Sequence, residues 1–153
     1  MINLARTTLG VLTVLTLSAI LLLGNKLPQA ASGNSGKLMQ VTGNVSVNGT
    51  SAISGATVSS DSTITTAARS SAVVSLGKLG RVEVQPSTTM KLSFGDSNVS
   101  VSMLDQGRVR ISSSPNVNAG VTTNDGQISS TGNQRNEFIV DTSYGNTFVS
   151  VKK

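Results

Sequence analysis

The sequence predicts an all-β domain behind an N-terminal apolar helix, and three observations carry that expectation. Val, Ile, Leu and Met recur at every second position in short runs, Gly, Asn and Asp punctuate those runs, and no amphipathic helical spacing follows residue 32. Alternation of this kind puts apolar side chains on one face of a pleated strand and polar ones on the other.

The elements follow in order. Val41, Val45 and Val47 lead into Asn48-Gly49, a dipeptide that accepts the positive φ angles of a tight hairpin turn. Ala52, Ile53, Ala56 and Val58 precede the turn at Asp61-Ser62 and a strand over 63–66. The run 71–76 stops at Gly77, and after Gly80 the segment 81–85 sets Val82 and Val84 against Arg81, Glu83 and Gln85, the pattern of a half-buried strand. Met90, Leu92 and Phe94 alternate with Lys91 and Ser93, Val99, Val101 and Met103 with Ser100 and Ser102, and Val109 and Ile111 with Arg108 and Arg110. Val121, Ile128, the strand 138–140 and the strand 147–151 complete the series, separated by turns at 124–126, 132–133 and 144–146. Ten or more short strands without a helix mean an all-β fold, as a β-roll, a solenoid-like stack or a sandwich. Period two is common to all three, and the absence of a strict repeat length disfavours a coil of identical rungs. Phe94, Phe138 and Phe148 are placed in the core, with Tyr144 and Phe148 as the alternative, an exposed contact.

The chain divides into a targeting segment (1–32), a small-residue linker (33–37) and the β domain (38–151). Arg6 precedes an uncharged run, 7–23, in which Leu9, Val11, Leu15, Leu17, Ile20, Leu21, Leu22 and Leu23 supply the apolar surface; Ala30-Ala31-Ser32 follows. That order is the order of a secretory signal. Its run is slightly short of the roughly 20 residues of a typical span. Two outcomes stay open: a cleaved signal, or an uncleaved anchor in the inner membrane with the β domain outside the cytoplasm, on the periplasmic or cell-surface side.

Composition narrows the chemistry. The chain has no Cys, no His and no Trp, which removes disulfides, thiolate metal sites, the usual catalytic triads and most zinc chemistry. Of the net charge of +5, Arg6 and Lys26 belong to the targeting segment, and the ten basic and seven acidic residues of the remainder leave +3. Those charges are scattered, without the basic stripe or stacking aromatics of a nucleic-acid surface. A serine nucleophile needs a neighbouring base, and Lys78 and Lys91 sit in turn and strand contexts that favour a solvated face. Among the carboxylates, Asp61, Asp96 and Asp125 stand beside Ser, Gly or Asn, where Asp caps turns. Asn124-Asp125-Gly126 lacks the second acidic residue a calcium loop requires. Asn44, Asn48 and Asn98 head Asn-x-Ser/Thr triplets, which accept glycans only in a eukaryotic secretory pathway. No catalytic, metal-binding or cofactor-binding residue is expected.

The succession of pieces resembles the FecR-like domain family, the periplasmic sensor domains of iron-dicitrate-type regulators. The residues that carry it are the strand and small-residue loop 43–58, the strands 62–66 and 70–76, the stretch 80–88 with its Gly turn and terminal Ser-Thr, Gly107-Arg108-Val109, Val121-Thr122-Thr123, the strand 136–140 around Phe138, and the strand 147–151. The resemblance covers about residues 38–151. It implies an all-β roll- or solenoid-like domain in a bacterial envelope. In complete regulators a cytoplasmic helical segment holds a sigma factor; the few residues ahead of the apolar run leave no room for one here, and no second periplasmic domain follows. The expectation is therefore a non-enzymatic exported module that binds an envelope protein or polysaccharide, with the membrane met through the N-terminal segment and no nucleic acid. A structural subunit polymerising through strand edges, and a transmembrane sensor, are the alternatives.

Overall fold

The computed structural model describes residues 35–152, which form two seven-stranded sheets. The segment expected to direct export, from Arg6 and Leu9 through the run 7–23, lies outside the described residues. Within them no helix is long and apolar enough to cross a membrane.

The first sheet contains β1 (Gly36–Thr42), β4 (Thr57–Val58), β6 (Ser71–Ser75), β7 (Gly80–Val84), β10 (Arg108–Ser113), β13 (Asn136–Asp141) and β14 (Phe148–Lys152). The second contains β2 (Val45–Val47), β3 (Thr50–Ser51), β5 (Ser62–Thr66), β8 (Thr88–Phe94), β9 (Asn98–Met103), β11 (Asn118–Thr123) and β12 (Gly126–Ser130). Their orders are β14-β13-β10-β7-β6-β1-β4 and β12-β11-β9-β8-β5-β2-β3. The all-β expectation holds, and the architecture is two sheets that close no barrel among the described residues. A single turn of 3₁₀ helix, Gly77–Leu79, is the one helical piece described.

The central strands β5 to β9 keep the two-residue alternation most clearly. In β8, Thr88, Met90, Leu92 and Phe94 are buried while Thr89, Lys91 and Ser93 stay half-exposed. Inward residues of both sheets, among them Leu38, Ile64, Val82, Leu92, Val101, Ile111 and Val140, join one apolar cluster. Each such side chain contributes about 1.5–3 kcal/mol by leaving water. No disulfide is available, so this cluster and the strand ladders hold the domain.

Hairpins join β2 to β3, β6 to β7, β8 to β9, β11 to β12 and β13 to β14; elsewhere the chain crosses from one sheet to the other. Asn48 and Gly49, with φ of 52° and 77°, make the β2–β3 turn foreseen from their dipeptide. β9 and β11 run parallel because the intervening β10 lies in the opposite sheet, so the chain completes one full coil between them.

Crossings are tight. Non-glycine residues with positive φ, Asp61, Arg69, Ser87 and Asn116, occur at four of them. Backbone groups at these corners leave the ladders, and threonine and serine hydroxyls take them up. Thr66 Oγ1 donates to the Gln85 carbonyl at 2.6 Å and accepts from the Thr88 amide at 3.1 Å. Thr88 Oγ1 accepts from the Arg108 amide at 3.0 Å, Thr142 Oγ1 from the Gly107 amide at 3.1 Å, and Ser70 Oγ from the Asn44 amide at 2.9 Å. One rim of the domain is thereby stitched by hydroxyls, those of Thr66, Ser70 and Thr88 on buried residues and that of Thr142 on a half-buried one.

Gly80 is where the backbones approach most closely. Its φ is 127°, and a Cβ there would sit 2.1 Å from the Ser112 carbonyl oxygen on β10. Gly80→Ala is expected to destabilise the domain by about 2–4 kcal/mol, since a strained φ adds to an overpacked backbone contact. Gly95→Ala, with nothing within 4 Å of the added carbon, is expected to change the thermal midpoint little. Equal shifts for the two in thermal denaturation would contradict this account of the β7–β10 approach.

Candidate functional site

The two ends of the sheets differ. At one end the outermost strands are β3 and β4, of two residues each, and β1 beside them carries a bulge between Leu38 and Gln40. Short edges and bulges offer a passing strand little to pair with. At the other end the outermost strands are β12 and β14, each of five residues.

β14 is unlike the other long strands. Val149 and Val151 pair with the core residues Val140 and Phe138 of β13, so they lie on the core-facing side of the sheet. Yet they are 44% and 71% exposed, because no further strand or loop among the described residues covers them. On the outward face Phe148 is 54% exposed, and Ser150 and Lys152 flank it in register. Phe94 and Phe138 are in the core as expected; Phe148 is not, and it takes the alternative of an exposed contact together with Tyr144 at 77%.

The hydrogen-bond register shows which amides are free. Thr142 N donates to the Gly107 carbonyl at 2.8 Å, one step beyond the Arg108–Asp141 pair. Alternation along an antiparallel strand then turns the amides of Glu137, Ile139 and Asp141 toward β14. Their partners Lys152, Ser150 and Phe148 spend their own amides on β13. Val149 and Val151 point N–H and C=O outward, along the open edge.

Two carboxylates hold this end in shape. Asp125, in the β11–β12 turn, accepts from the amide and the hydroxyl of Thr147, each at 2.8 Å, and Thr147 Oγ1 lies 2.9 Å from Thr123 Oγ1. The Asn124-Asp125-Gly126 turn therefore braces the turn that leads into β14. Asp141, at the end of β13, accepts from Arg108 Nε at 2.8 Å and from the Ser143 amide at 2.9 Å. Burial alone would raise the Asp141 carboxyl, but its bonds to Ser143 and to the Arg108 guanidinium outweigh that and hold it below the ordinary carboxylate range. A depression of 280 Å³ between Arg108, Ile139, Asp141, Phe148, Val149 and Ser150 lies beside this pair.

The remaining surfaces are of two kinds. The outer face of the first sheet is charged, with Glu83 between Arg81 (3.3 Å) and Arg110 (3.7 Å), and Arg110 reaching Glu137 (3.7 Å). The outer face of the second sheet is almost all hydroxyl and amide: Thr63, Lys91, Ser102, Thr122 and Gln127 stand in register across five strands. Its carboxylate Asp61 is spoken for, since bonds from Ser93 (2.7 Å) and Lys91 lower its carboxyl. Ser112 and Ser113 hydroxyls, both buried, lack protein partners beside a 200 Å³ hollow lined by Arg81, Arg135 and Glu137. No group of three or more acidic side chains suited to a metal ion occurs among the described residues.

Comparison with protein families, with curated proteins and with solved structures finds no match to this chain. The targeting residues singled out in the sequence, Arg6, Leu9, Val11, Leu15, Leu17, Ile20, Leu21, Leu22 and Leu23, fall outside the described residues. The outward placement of Phe148, in contrast, had a signal in the sequence: Phe148 and Ser150 share one parity and Val149 and Val151 the other.

The Asp141 contacts give a pH dependence with a defined sign. A carboxyl that titrates lower in the folded chain stabilises it above the unfolded value of about 3.9, and the contribution is lost as pH falls through the folded value. Asp141→Ala is expected to cost about 1–2 kcal/mol at pH 7 by stranding the Ser143 amide and the Arg108 guanidinium. The deficit should shrink below pH 4 in urea denaturation; a deficit that stays constant down to pH 2 would rule out the charged contact as its source.

Proposed function

We propose that this protein is a non-enzymatic exported module of a bacterial envelope that acts by docking an extended strand on β14. The observation that carries the reading is the exposure of Val149 and Val151, core-facing residues left open at an edge that also presents free amides. Strand addition uses these two features together: backbone hydrogen bonds supply affinity, and side chains on alternate positions supply selectivity. The export run 7–23 and the FecR-like succession of strands support an envelope location, periplasmic or at the cell surface, with the N-terminal segment as signal or anchor. The two-sheet, coiling path of the chain fits the roll-like arrangement that the resemblance implies. The engagement of Asp61, Asp125 and Asp141 in structural hydrogen bonds supports a binding rather than a hydrolytic role.

A second reading, a polysaccharide held on the second sheet, is favoured by the row of Thr63, Ser102, Thr122 and Gln127, whose regular strand spacing of about 4.8 Å suits a repeating hydroxylated polymer. The two readings separate with two variants. If strand docking is right, a photo-cross-linking residue at Ser150 in the living cell gives a protein adduct, the same residue at Ser51 on the opposite end gives none, and Val151→Lys prevents the Ser150 adduct. If the hydroxyl face is the site, the chain is retained on purified peptidoglycan, Ser102→Glu abolishes that retention, and Val151→Lys leaves it intact. Adducts at Ser51 equal to those at Ser150 would refute the docking proposal.

A further inference from the structure

We propose that the strand docked on β14 is β14 of a second copy of this chain, the two related by a two-fold axis through Ser150. This rests on the docking reading above and names its occupant. The strand is self-complementary only in this register. An antiparallel pair centred on Ser150 sets Ser150 opposite Ser150, Val149 opposite Val151 and Phe148 opposite Lys152.

Each pairing suits its face. Val149 and Val151 meet across the join on the core-facing side, so the exposed apolar surface of each copy is covered by that of the other. On the outer face Lys152 lies between Glu137 of its own sheet and Phe148 of the other copy, a carboxylate on one side and an aromatic ring on the other. No like charges oppose each other. The hydrogen bonds agree as well: the outward amides of Val149 and Val151 fall in the two hydrogen-bonded pairs, and Ser150 falls in the close, non-hydrogen-bonded pair between them. A shift by one residue would bring Val149 opposite Ser150 or opposite Lys152, mixing apolar with polar positions across the join. A shift by two would set either Phe148 or Lys152 beyond the partner strand.

The symmetry also decides the size of the assembly. An isologous contact closes on itself and gives a dimer. A filament would need the far end of the domain to accept a strand, and the edges there, β3 and β4, are two residues long.

The chain has no cysteine, so single cysteines report the contact without background. In a non-hydrogen-bonded pair the two Cα atoms lie about 4.5–5 Å apart, inside the disulfide range. The full chain carrying Ser150→Cys is expected to form a disulfide-linked dimer under mild oxidation. Lys152→Cys, whose two copies would be about 13 Å apart in this register, is expected to stay unlinked. Without oxidant, sedimentation of the parent chain should show a dimer, and Val151→Lys should weaken it at least tenfold; the 71% exposure of Val151 lets the folded monomer accept the lysine, as circular dichroism would verify. A monomer at all concentrations, or linkage of Lys152→Cys as fast as of Ser150→Cys, overturns the two-fold contact. If those failures accompany a cellular adduct at Ser150 with a different protein, or with the chain's own N-terminal segment, docking on β14 stands and only its occupant is wrong. Absence of any adduct at Ser150 removes both.

Discussion

The fold depends on solving its corners. Between consecutive strands the chain changes sheet eight times, and each change takes backbone amides and carbonyls away from the ladder that would have satisfied them. A buried, unpaired backbone group costs about as much as several hydrogen bonds return. Thr66, Ser70, Thr88 and Thr142 meet that cost by turning hydroxyls into the rim, where each accepts an amide from the neighbouring corner. A hydroxyl suits the task because it donates and accepts at once, as Thr66 does between Gln85 and Thr88. For these four residues the hydroxyl has a structural cause, independent of any ligand on the outer faces.

This division explains what the sequence disclosed. Apolar alternation is a one-dimensional signal, so the burial of Met90, Leu92 and Phe94 against the exposure of Lys91 and Ser93 could be anticipated, as could the Asn48-Gly49 turn. The rim hydroxyls were visible only in part. Thr66 shares parity with Ser62 and Ile64, and Thr88 with Met90, which marks both as inward polar residues at strand ends. Their partners belong to other corners, 22 residues apart for Thr66 and Thr88, and no local pattern ties them together. Assignment of strands to sheets was closed to the sequence for a related reason: a period of two is the same in either sheet, so a hairpin and a crossing look alike until the pairing is known. Phe148 shows the opposite failure. Its alternation with Val149 set it on the outer face, but residue type argued for the core, and parity proved the better guide.

Edges were likewise beyond local pattern. β14 and β13 read similarly as sequence, short apolar alternations bounded by polar turns, yet β13 has a neighbour on both sides and β14 on one. Central strands gain from both ladders and from the opposing sheet. An edge strand keeps half the ladder, and β14 also loses the cover over Val149 and Val151. Its anchorage falls to the register with β13 and to polar ties outside the strand itself, Asp125 with Thr147 before it and Asp141 with Arg108 beside it.

Those ties give the open end its character. Polar contacts near the surface fix the direction of a strand without supplying much free energy, whereas apolar burial supplies free energy with little directional preference. β14 has the first and lacks the second. It is therefore aligned as a template while the hydrophobic part of its stabilisation is still outstanding, and any strand laid along Val149 and Val151 stabilises the domain as well as the complex, because binding to the folded form alone adds to its stability. An edge built only of short or charged strands would have no such coupling between association and folding. The opposite end of the domain, with β3 and β4 cut to two residues, presents no edge of comparable length.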